Sequence, residues 1–392
     1  MDYKEIELSE VITDIAAGPF GSNLKVSCFV DEGFPIIDGA NLKGFKVTDN
    51  VTKFVTEEKA RSLHRSIAKR NDVVVTISGT LGQIAYIPYD SMYEEYLCSQ
   101  RQFRVTFDTS RVYVPYLVFY FHTYEGQSKI LSFANQVGVP ALSQPLKNFK
   151  AIKIKLPTLD EQIKIAEVIE IINGKIENNN KISENLLEQA RCIFRNNFID
   201  LKPYDGQMPK DWKILKLNDV SIMSAGGDKP QNVSPVPTDK LNVPIYSNGI
   251  ADEGLYGYTD VAKINEESVT VSARGTIGYV CLRQMPYVPI VRLISLVPKK
   301  EFVSAKYLYH WLDAIHITGT GTTQQQLTVP NFKTTPITVP SFETMQEFTD
   351  CVSPIYEEIF KNKKQNLSLA ELQELLLERL VSGKLDVAEL EM

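Results

Sequence analysis

The chain has 392 residues, of which 43% are hydrophobic and 23% are charged, and its formal net charge is −6. This length allows two domains with separate cores, and the net negative charge disfavours a nucleic-acid partner at first sight. No run of about 18 apolar residues occurs, so we expect no membrane-spanning helix. The charged start, MDYKEIELSE, is unlike a signal peptide, and the five cysteines show no CxxC spacing. We therefore expect a reduced, cytoplasmic chain.

An internal repeat organises the sequence. Val73–Gly82 (VVVTISGTLG) aligns with Val269–Gly278 (VTVSARGTIG), and residues 148–198 align without a gap with residues 331–381. The matching segments persist while the stretches between them differ in length. This is typical of two copies that keep one fold but bind different things, because loops carry the binding residues.

Short β-branched or alternating runs predict strands in both copies. The predicted strands are Val73–Ile77, Gln83–Ile87, Gln102–Phe107, Ile152–Leu156, Val269–Ala273, Gly278–Leu282, Leu293–Val297 and Pro336–Val339. One aromatic-rich helix is predicted in each copy, over Val114–Tyr124 and Ser304–Ile315. The predicted fold class is α+β, with repeated α/β domains at 1–157 and 203–340 and spacer helices at 158–202 and 341–392.

Both spacer helices carry a coiled-coil stripe, in which apolar residues alternate in steps of four and three. The first stripe is Ile165, Ile169, Ile172, Ile176, Asn179, Ser183, Leu186, Ala190 and Ile193; the second is Phe348, Val352, Ile355, Ile359, Asn362, Asn366, Leu369, Gln373 and Leu376. Thr158 and Glu161 form a predicted capping box, Ser341 is the second N-cap, and Gly383 is a predicted helix stop. Each stripe needs an apolar partner, so we expect an antiparallel pair with pseudo-twofold symmetry that holds the domains roughly 50 Å apart.

Four polar residues interrupt the two stripes at equivalent positions: Asn179, Ser183, Asn362 and Asn366. Buried asparagine in a coiled coil lowers stability but selects one register. We therefore predict that Asn179 faces Asn366 and that Ser183 faces Asn362. The alternative is that Asn178–Asn180 forms a turn and the first spacer is two short helices.

The acidic charge lies mainly in residues 341–392, which contain 5 Lys and Arg against 11 Asp and Glu, whereas residues 1–157 contain 18 against 17. Within the first domain a basic segment combines eight Lys and Arg with three acids. Its members are Lys43, Lys46, Lys53, Lys59, Arg61, Arg65, Lys69 and Arg70. This segment is a candidate phosphate-facing stripe; a solvated helix face is the alternative.

A nucleic-acid partner, if the basic segment binds one, would also need base contacts from Arg, Lys, Asn or Gln on exposed loops, since these side chains pair with guanine or adenine edges. The candidates are Gln100, Arg101, Gln102, Arg104, Arg274, Thr322, Thr323, Gln324, Gln325 and Gln326. Other roles remain open, because the glutamine run could be a polar surface loop and the two arginines before and within Gln102–Phe107 could form salt bridges. The Gly-Thr turns beside Thr80 and Thr276 could serve only the backbone.

Five segments resemble the specificity subunits of type I restriction–modification enzymes. They are Met208-Pro209-x-x-Trp212 with Leu217-x-x-Val220; the turns Gly79–Gly82 and Gly275–Gly278; Leu156-Pro157-x-x-x-Glu161-Gln162; Leu186-Leu187 with Ile193-Phe194-Arg195-x-x-Phe198; and Leu375-Leu376 with Leu380–Leu385. Two departures are Asp211, where the family usually has Gly, and Thr344-Met345, where it has Glu-Gln.

The resemblance implies a non-catalytic subunit that reads a bipartite, asymmetric site in double-stranded DNA, one half per domain. It also implies docking to two methyltransferase subunits and to restriction and translocase subunits. No cofactor is expected on this chain, and S-adenosylmethionine, ATP and Mg are expected on the partner subunits.

Enzymatic motifs are missing from the sequence. It contains no P-loop, its histidines (His64, His122, His310, His316) are scattered, and Asp38 with Asp72 suggests a nuclease pair only weakly because the usual lysine is missing. A structural adaptor with paired protein-binding domains on a coiled-coil scaffold is the alternative reading. A fused enzyme with unrecognised active-site residues is a third.

Overall fold

The computed structural model describes residues 3–135, 138–315, 317 and 326–387. The chain divides into two compact units. Unit 1 contains Met1–Asn178 and Gln365–Met392, and unit 2 contains Asn179–Lys364. Each unit therefore holds one copy of the repeated domain together with part of each long helix, whereas the predicted boundaries placed the helices outside the domains.

Short strands form most of the first copy, as the alternating runs predicted. Its elements in chain order, up to the first long helix, are β1 (Lys4–Glu7), β2 (Ile12–Ala17), β3 (Phe29–Val30), β4 (Phe34–Ile37), β5 (Phe54–Val55), α1 (Glu57–Ser62), β6 (Ile67–Lys69), β7 (Val73–Thr76), β8 (Ile84–Tyr86), β9 (Glu95–Cys98), β10 (Gln102–Phe107), α2 (Val114–His122), α3 (Tyr124–Leu131), β11 (Ala134–Asn135), β12 (Ala141–Leu142), α4 (Pro145–Lys150), β13 (Lys153–Leu156) and α5 (Leu159–Phe194).

Two sheets pack around β7 in unit 1. The antiparallel sheet has the order β2-β10-β7-β8, and the mixed sheet has the order β3-β5-β4-β9-β6 with β4 parallel to β9. Val73 and Val75 join the cluster that contains α2, whereas Val74 joins the cluster of the mixed sheet. Both faces of β7 are therefore buried, which explains its unbroken run of valines. A separate antiparallel pair, β1 with β13, ties the start of the domain to the strand that precedes α5.

The second copy repeats this arrangement with fewer strands. Its elements are β14 (Lys213–Lys216), α6 (Leu217–Val220), β15 (Ser221–Ala225), β16 (Val243–Tyr246), β17 (Leu255–Thr259), β18 (Ser268–Val271), β19 (Val280–Arg283), β20 (Val288–Pro289), β21 (Ile294–Pro298), α7 (Ala305–Ala314), α8 (Val329–Phe332), β22 (Pro336–Val339) and α9 (Phe342–Val381).

The strand order of unit 2 confirms the duplication. The sheet β15-β21-β18-β19 corresponds to β2-β10-β7-β8, and the pair β14 with β22 corresponds to β1 with β13. The parallel pair of β16 and β20 corresponds to that of β4 and β9. The mixed sheet is smaller, with the order β17-β16-β20, because the second copy is shorter between its matching segments.

The two long helices begin as their sequences predict. Thr158 N–H donates to Glu161 Oε2 at 3.0 Å, and Glu161 N–H donates to Thr158 Oγ1 at 3.4 Å, which completes the capping box of α5. Thr344 N–H donates to Ser341 Oγ at 3.2 Å at the start of α9. Helix α5 runs for 36 residues through Asn178–Asn180, so the alternative of a turn there is wrong.

Helix α9 ends in a Schellman motif at Gly383, whose φ is +71°. Lys384 N–H donates to Arg379 O at 2.9 Å, and Gly383 N–H donates to Leu380 O at 3.2 Å. The hydroxyl of Tyr3 also donates to Leu380 O at 3.2 Å. The predicted stop is therefore correct, and the first described residue of the chain covers it.

The helices pack against each other within each unit. In unit 1, Ile165 and Ile169 share a buried cluster with Leu377, Leu380 and Val381. In unit 2, the rings of Phe194 and Phe348 are 5.8 Å apart, and Asn362 Nδ2 donates to Ser183 Oγ at 3.4 Å. Residue numbers rise along one helix as they fall along the other, so the pair in unit 2 is antiparallel, as predicted. Within the described part of the chain, every helix is too short or too polar to cross a membrane.

Candidate nucleic-acid interface

The turn between β7 and β8 depends on two glycines with left-handed backbone. Gly79 has φ +99° and Gly82 has φ +86°, values that other residues adopt only with strain. A Cβ on Gly82 would collide with the side-chain oxygen of Gln127. That side chain donates to Gly82 O at 2.9 Å and to Phe121 O at 2.7 Å. The turn is thus held against α2 and α3, with Thr80 exposed at its tip.

A hairpin that the sequence analysis missed runs beside this turn. Leu142 N–H donates to Ile77 O at 2.8 Å, and Gly79 N–H donates to Pro140 O at 3.0 Å. The loop between α3 and α4 therefore returns to the turn. Its strands, β11 and β12, have two residues each, too few to show a periodic signal in the sequence.

Unit 2 places the corresponding segment beside the second Gly-Thr turn. Leu327 N–H donates to Ala273 O at 3.0 Å, the counterpart of the bond between Leu142 and Ile77. Arg274 donates from its guanidinium to Gln326 Oε1 at 3.3 Å. On the other side, a Cβ on Gly278 would lie 3.0 Å from Ile317 O. Ile317 and Gln326, which lie on either side of the rest of the glutamine run in the chain, thus both lie beside the turn. The predicted readers Thr322, Thr323, Gln324 and Gln325 lie outside the described residues.

A cleft of about 580 Å³ opens beside the turn of unit 1. Its lining includes Thr80, Gln83, Lys53 and the segment Ser99–Gln102. Arg101 is exposed, and its guanidinium lies 3.8 Å from the position that a Cβ on Gly79 would occupy. A cationic fork at the rim of a cleft is suited to bind phosphate or the edge of guanine.

An ion pair inside this cleft keeps one carboxylate charged. Lys53 Nζ lies 2.6 Å from Asp38 Oδ2. Burial favours the neutral acid, yet the hydrogen bonds from Lys53 and from the Ala40 N–H lower the pKa of Asp38 below its ordinary value. The positive charge of Lys53 is therefore largely compensated, whereas Arg101 is exposed on the rim of the same cleft.

Arg104 has a different environment from Arg101. It lies inside β10, is 9% exposed, and pairs with Asp14 at 2.6 Å. It also donates to Arg65 O at 3.0 Å. The hydrogen bond from Arg104 lowers the pKa of Asp14. These protein partners occupy the guanidinium, so the salt-bridge alternative describes Arg104 better than base reading does.

The basic segment does not form one continuous stripe. Arg61 pairs with Glu57 at 2.8 Å and with Glu95 at 2.5 Å, and Lys69 pairs with Glu95 at 3.3 Å. Arg70 pairs with Glu94 at 3.5 Å. Counting Lys53, which pairs with Asp38, four of the eight cations have carboxylate partners.

The other four cations, Lys43, Lys46, Lys59 and Arg65, remain candidates for phosphate contact. Within the described ranges, no carboxylate lies within 4.0 Å of any of the four. Lys43 and Arg65 are exposed, and Lys46 is half-buried beside β8, where it forms a parallel bridge with Tyr86. Their role in binding DNA stays a prediction.

Arg292 is a candidate that the sequence analysis missed. Gly18 N–H donates to Gln102 O at 2.7 Å in unit 1, and Gly226 N–H donates to Leu293 O at 2.8 Å in unit 2. The residue before each acceptor is an arginine, so Arg292 is the counterpart of Arg101. It is exposed and has φ +62°. The sequence analysis overlooked it because the two copies change their offset several times before this point.

Asn248 links the two backbone segments that carry the candidate arginines Arg274 and Arg292. Its Oδ1 accepts from Ala273 N–H at 2.7 Å, and its Nδ2 donates to Val291 O at 2.6 Å. Ala273 precedes Arg274 and Val291 precedes Arg292 in the chain. One half-buried amide thus positions the backbone next to both cationic side chains.

The polar layer of the helices lies partly inside the protein. Asn179 is fully buried and Asn362 is 5% exposed, while Ser183 and Asn366 are half-buried. Ser183 also donates from Oγ to Asn179 O at 2.8 Å. The predicted role of these four residues in selecting a register stays a prediction.

The described histidines and acids do not assemble into a metal site, and His316 lies outside the described residues. Across residues 3–135, 138–315, 317 and 326–387, no group of three His, Cys, Asp or Glu side chains is placed to hold a metal. His310 is buried and His122 is half-buried, and burial lowers the pKa of both. Asp38 and Asp72 line separate cavities, and Asp72 accepts from Thr106 at 2.6 Å. The geometry offers no support for a nuclease pair.

Comparison with known proteins gives a consistent result. The family model of the type I restriction modification DNA specificity domain matches residues 2–188 and again residues 209–369. A putative type I specificity subunit of Mycoplasma pneumoniae is 33% identical over 250 residues, which cover 61% of this chain and 66% of that protein. Another from the same organism is 38% identical over 152 residues, covering 38% of this chain and 45% of that protein. The chain thus matches less than two thirds of the length of these two relatives.

Two further matches extend over most of the chain. A type I restriction enzyme specificity subunit of Methanocaldococcus jannaschii is 24% identical over 364 residues, which cover 86% of this chain and 82% of that protein. The crystal structure of the S subunit of a type I restriction-modification system from M. genitalium matches with a TM-score of 0.59 and 14% identity, covering 97% of this chain and 96% of that one. This structural match supports the fold.

Proposed function

The chain belongs to the family of type I restriction modification DNA specificity proteins, and on this premise we propose that it reads a bipartite, asymmetric site in double-stranded DNA. Each unit contacts one half-site through the surface around its Gly-Thr turn. In unit 1 this surface contains the turn, the β11–β12 hairpin and Arg101. In unit 2 it contains the turn, Arg274, Arg292 and Gln326.

One observation carries this proposal: the two units share a backbone frame but differ in the side chains that the frame presents. The bonds from Leu142 to Ile77 and from Leu327 to Ala273 are equivalent. At the next residue along each turn, unit 1 has Ser78 and unit 2 has Arg274. A duplicated frame with different exposed residues is suited to read two unlike half-sites, because base contacts depend on side chains and not on the frame.

The candidate side chains have defined chemical preferences. An arginine donates two parallel hydrogen bonds to O6 and N7 of guanine, and a glutamine pairs in the same way with adenine. Each such pair contributes about 1–3 kcal/mol of discrimination against the wrong base. Phosphate contacts from exposed lysines add affinity that falls with salt but carries no sequence information.

The proposal assigns catalysis to partner subunits. Two methyltransferase subunits would bind S-adenosylmethionine and modify the DNA, and restriction and translocase subunits would bind ATP and Mg. The exposed faces of α5 and α9 are rich in acids, which suits docking to protein better than contact with DNA.

The test is selection from a pool of randomised duplexes by the chain assembled with its methyltransferase partner. The proposal expects a consensus of two unlike blocks separated by positions without preference, and affinity that falls steeply with salt. A consensus with one block, or capture without sequence preference, would contradict it. The chain alone, incubated with labelled S-adenosylmethionine and DNA, should transfer no methyl group; transfer would show that catalysis resides here.

A further inference from the structure

Phe20 is an exposed aromatic residue beside the proposed DNA surface of unit 1. Its side chain is 82% exposed, and it lies in the loop Gly18-Pro19-Phe20-Gly21 after β2. Exposure of a single apolar residue is common and needs no explanation by itself. The position of this one is set by the two glycines on either side of it.

Both glycines allow the loop to approach closely the segment that carries Arg101. A Cβ on Gly18 would collide with Ser99 O, and a Cβ on Gly21 would collide with Gln100 Oε1. The Gly18 N–H also donates to Gln102 O at 2.7 Å, and the Asn23 N–H donates to Phe20 O at 2.8 Å. Contacts on both sides of Phe20 therefore hold it beside residues 99–102, which line the cleft.

The same rim of the cleft carries further apolar surface. Val26 is 82% exposed and Phe29 is half-buried, and both line the cleft together with Arg101 and Thr80. A surface that combines a guanidinium with an exposed aromatic ring and a valine fits a nucleic acid, whose phosphates are anionic and whose bases stack.

The second copy differs at this position. Because Gly226 is the counterpart of Gly18, the loop after β15 has Asp228 where the first copy has Phe20, and Lys229 follows it. Lys229 Nζ lies 5.2 Å from the centre of the Tyr256 ring and donates to Tyr256 OH at 3.1 Å. The equivalent close approach is kept, because Gly226 packs against the backbone of Ile290. Unit 2 thus has an exposed carboxylate, Asp228, where unit 1 has an aromatic ring.

We propose that Phe20 is a wedge that inserts into the half-site contacted by unit 1 and partially unstacks one base step. The inference rests on the proposed function and adds a residue that contacts bases without hydrogen bonds. Apolar side chains inserted at a base step kink the duplex and favour sequences that unstack easily, such as pyrimidine–purine steps. Specificity at that step then comes from deformability, and unit 2 reads its half-site without such a wedge.

The test uses the chain assembled with its methyltransferase partner and a duplex of the selected consensus. 2-Aminopurine replaces one base at successive positions of each half-site. Binding of the wild-type complex should raise the fluorescence at one step of the first half-site only. Phe20→Ala should abolish that rise and weaken binding about 10-fold, within the range of base–aromatic stacking, while the slope of affinity against salt stays unchanged. Phe20→Leu, which keeps an apolar wedge, should retain most of the fluorescence rise.

Tyr89→Ala is the matched control, because Tyr89 is 72% exposed in the same unit and does not line the cleft. It should change neither readout. The inference is overturned if Phe20→Ala leaves both the fluorescence rise and the affinity unchanged, or if it impairs assembly with the methyltransferase in the absence of DNA. Failure of the wild-type complex to select any consensus would instead overturn the proposed function.

Discussion

Protonation of His310 should destabilise unit 2 as the pH falls from 8 to 5. The imidazole is 2% exposed, stacks on Phe194 at 5.3 Å, and has Nε2 2.8 Å from Tyr356 OH. Burial, with a smaller contribution from the charge of Arg191, lowers the pKa of His310 from 6.5 to about 3. The folded state therefore excludes a proton that the unfolded chain accepts between these two values.

The sign and size follow from proton linkage. Stability rises with pH wherever the unfolded state binds more protons, so the His310 contribution is fully present above pH 6.5 and is lost as the pH falls toward 3. At pH 5 the ratio of protonated to neutral His310 in the unfolded chain is about 30 to 1. This protonation lowers the free energy of unfolding by about 2 kcal/mol. This value hardly depends on the folded pKa, because the folded imidazole is already neutral at pH 5.

The assay follows the two tryptophans, Trp212 and Trp311, both of which lie in unit 2. Urea unfolding monitored by tryptophan fluorescence at pH 8 and pH 5 therefore reports on this unit. His310→Gln has no charge at either pH, so the wild-type chain should lose about 2 kcal/mol more than this variant between the two pH values. The control His64→Gln alters an exposed histidine and should behave as wild type. Equal losses in wild type and His310→Gln would refute the argument.

Four further predictions concern the two units. Arg101→Ala should relax selection at one position of the first half-site and weaken consensus binding about 5- to 150-fold, as the loss of about 1–3 kcal/mol implies; repeating the duplex selection measures it. Lys43→Ala should weaken binding to all sequences alike and reduce the salt slope by about one; unequal effects among sequences would argue against a phosphate contact. Gly82→Ala should strain the turn by roughly 1–3 kcal/mol and displace Gln127, so the first half-site should lose selectivity while the second keeps it. Asn362→Leu should raise the thermal midpoint yet broaden the distances between spin labels placed on α5 and α9 within unit 2, because the polar bond to Ser183 is lost; an unchanged distribution would remove the register role.

The duplication and the helices are readable from the sequence because both depend on local patterns. The offset that aligns Pro157 with Pro340 also aligns β13 with β22. The capping box of Thr158 and Glu161 and the stop at Gly383 involve neighbouring residues in the chain, so their hydrogen bonds were predicted correctly. The tendency of Asn178–Asn180 to form a turn was overridden, because the helix that contains them has a packed partner within each unit.

The candidate site was predicted less completely. Arg101 and Arg104 are three residues apart and share one side-chain chemistry, yet Arg101 is on the rim of a cleft and Arg104 is paired with Asp14. The positive charge of Arg61 is compensated by Glu95, which is 34 positions away in the chain. A count of charges along the sequence does not register partners that only the folded chain brings together.

The sequence by itself determined that there are two copies, where their main strands lie, where the long helices begin and where the second of them ends, because hydrophobic periodicity and helix caps act over a few residues. The tertiary structure decided which cations remain available to a ligand. The tertiary structure also brought Pro140 and Leu142 to the Gly-Thr turn, and it placed Arg292 at the position that Arg101 occupies in the other copy. These features depend on contacts between residues far apart in the chain, whose register is set only when the sheets assemble.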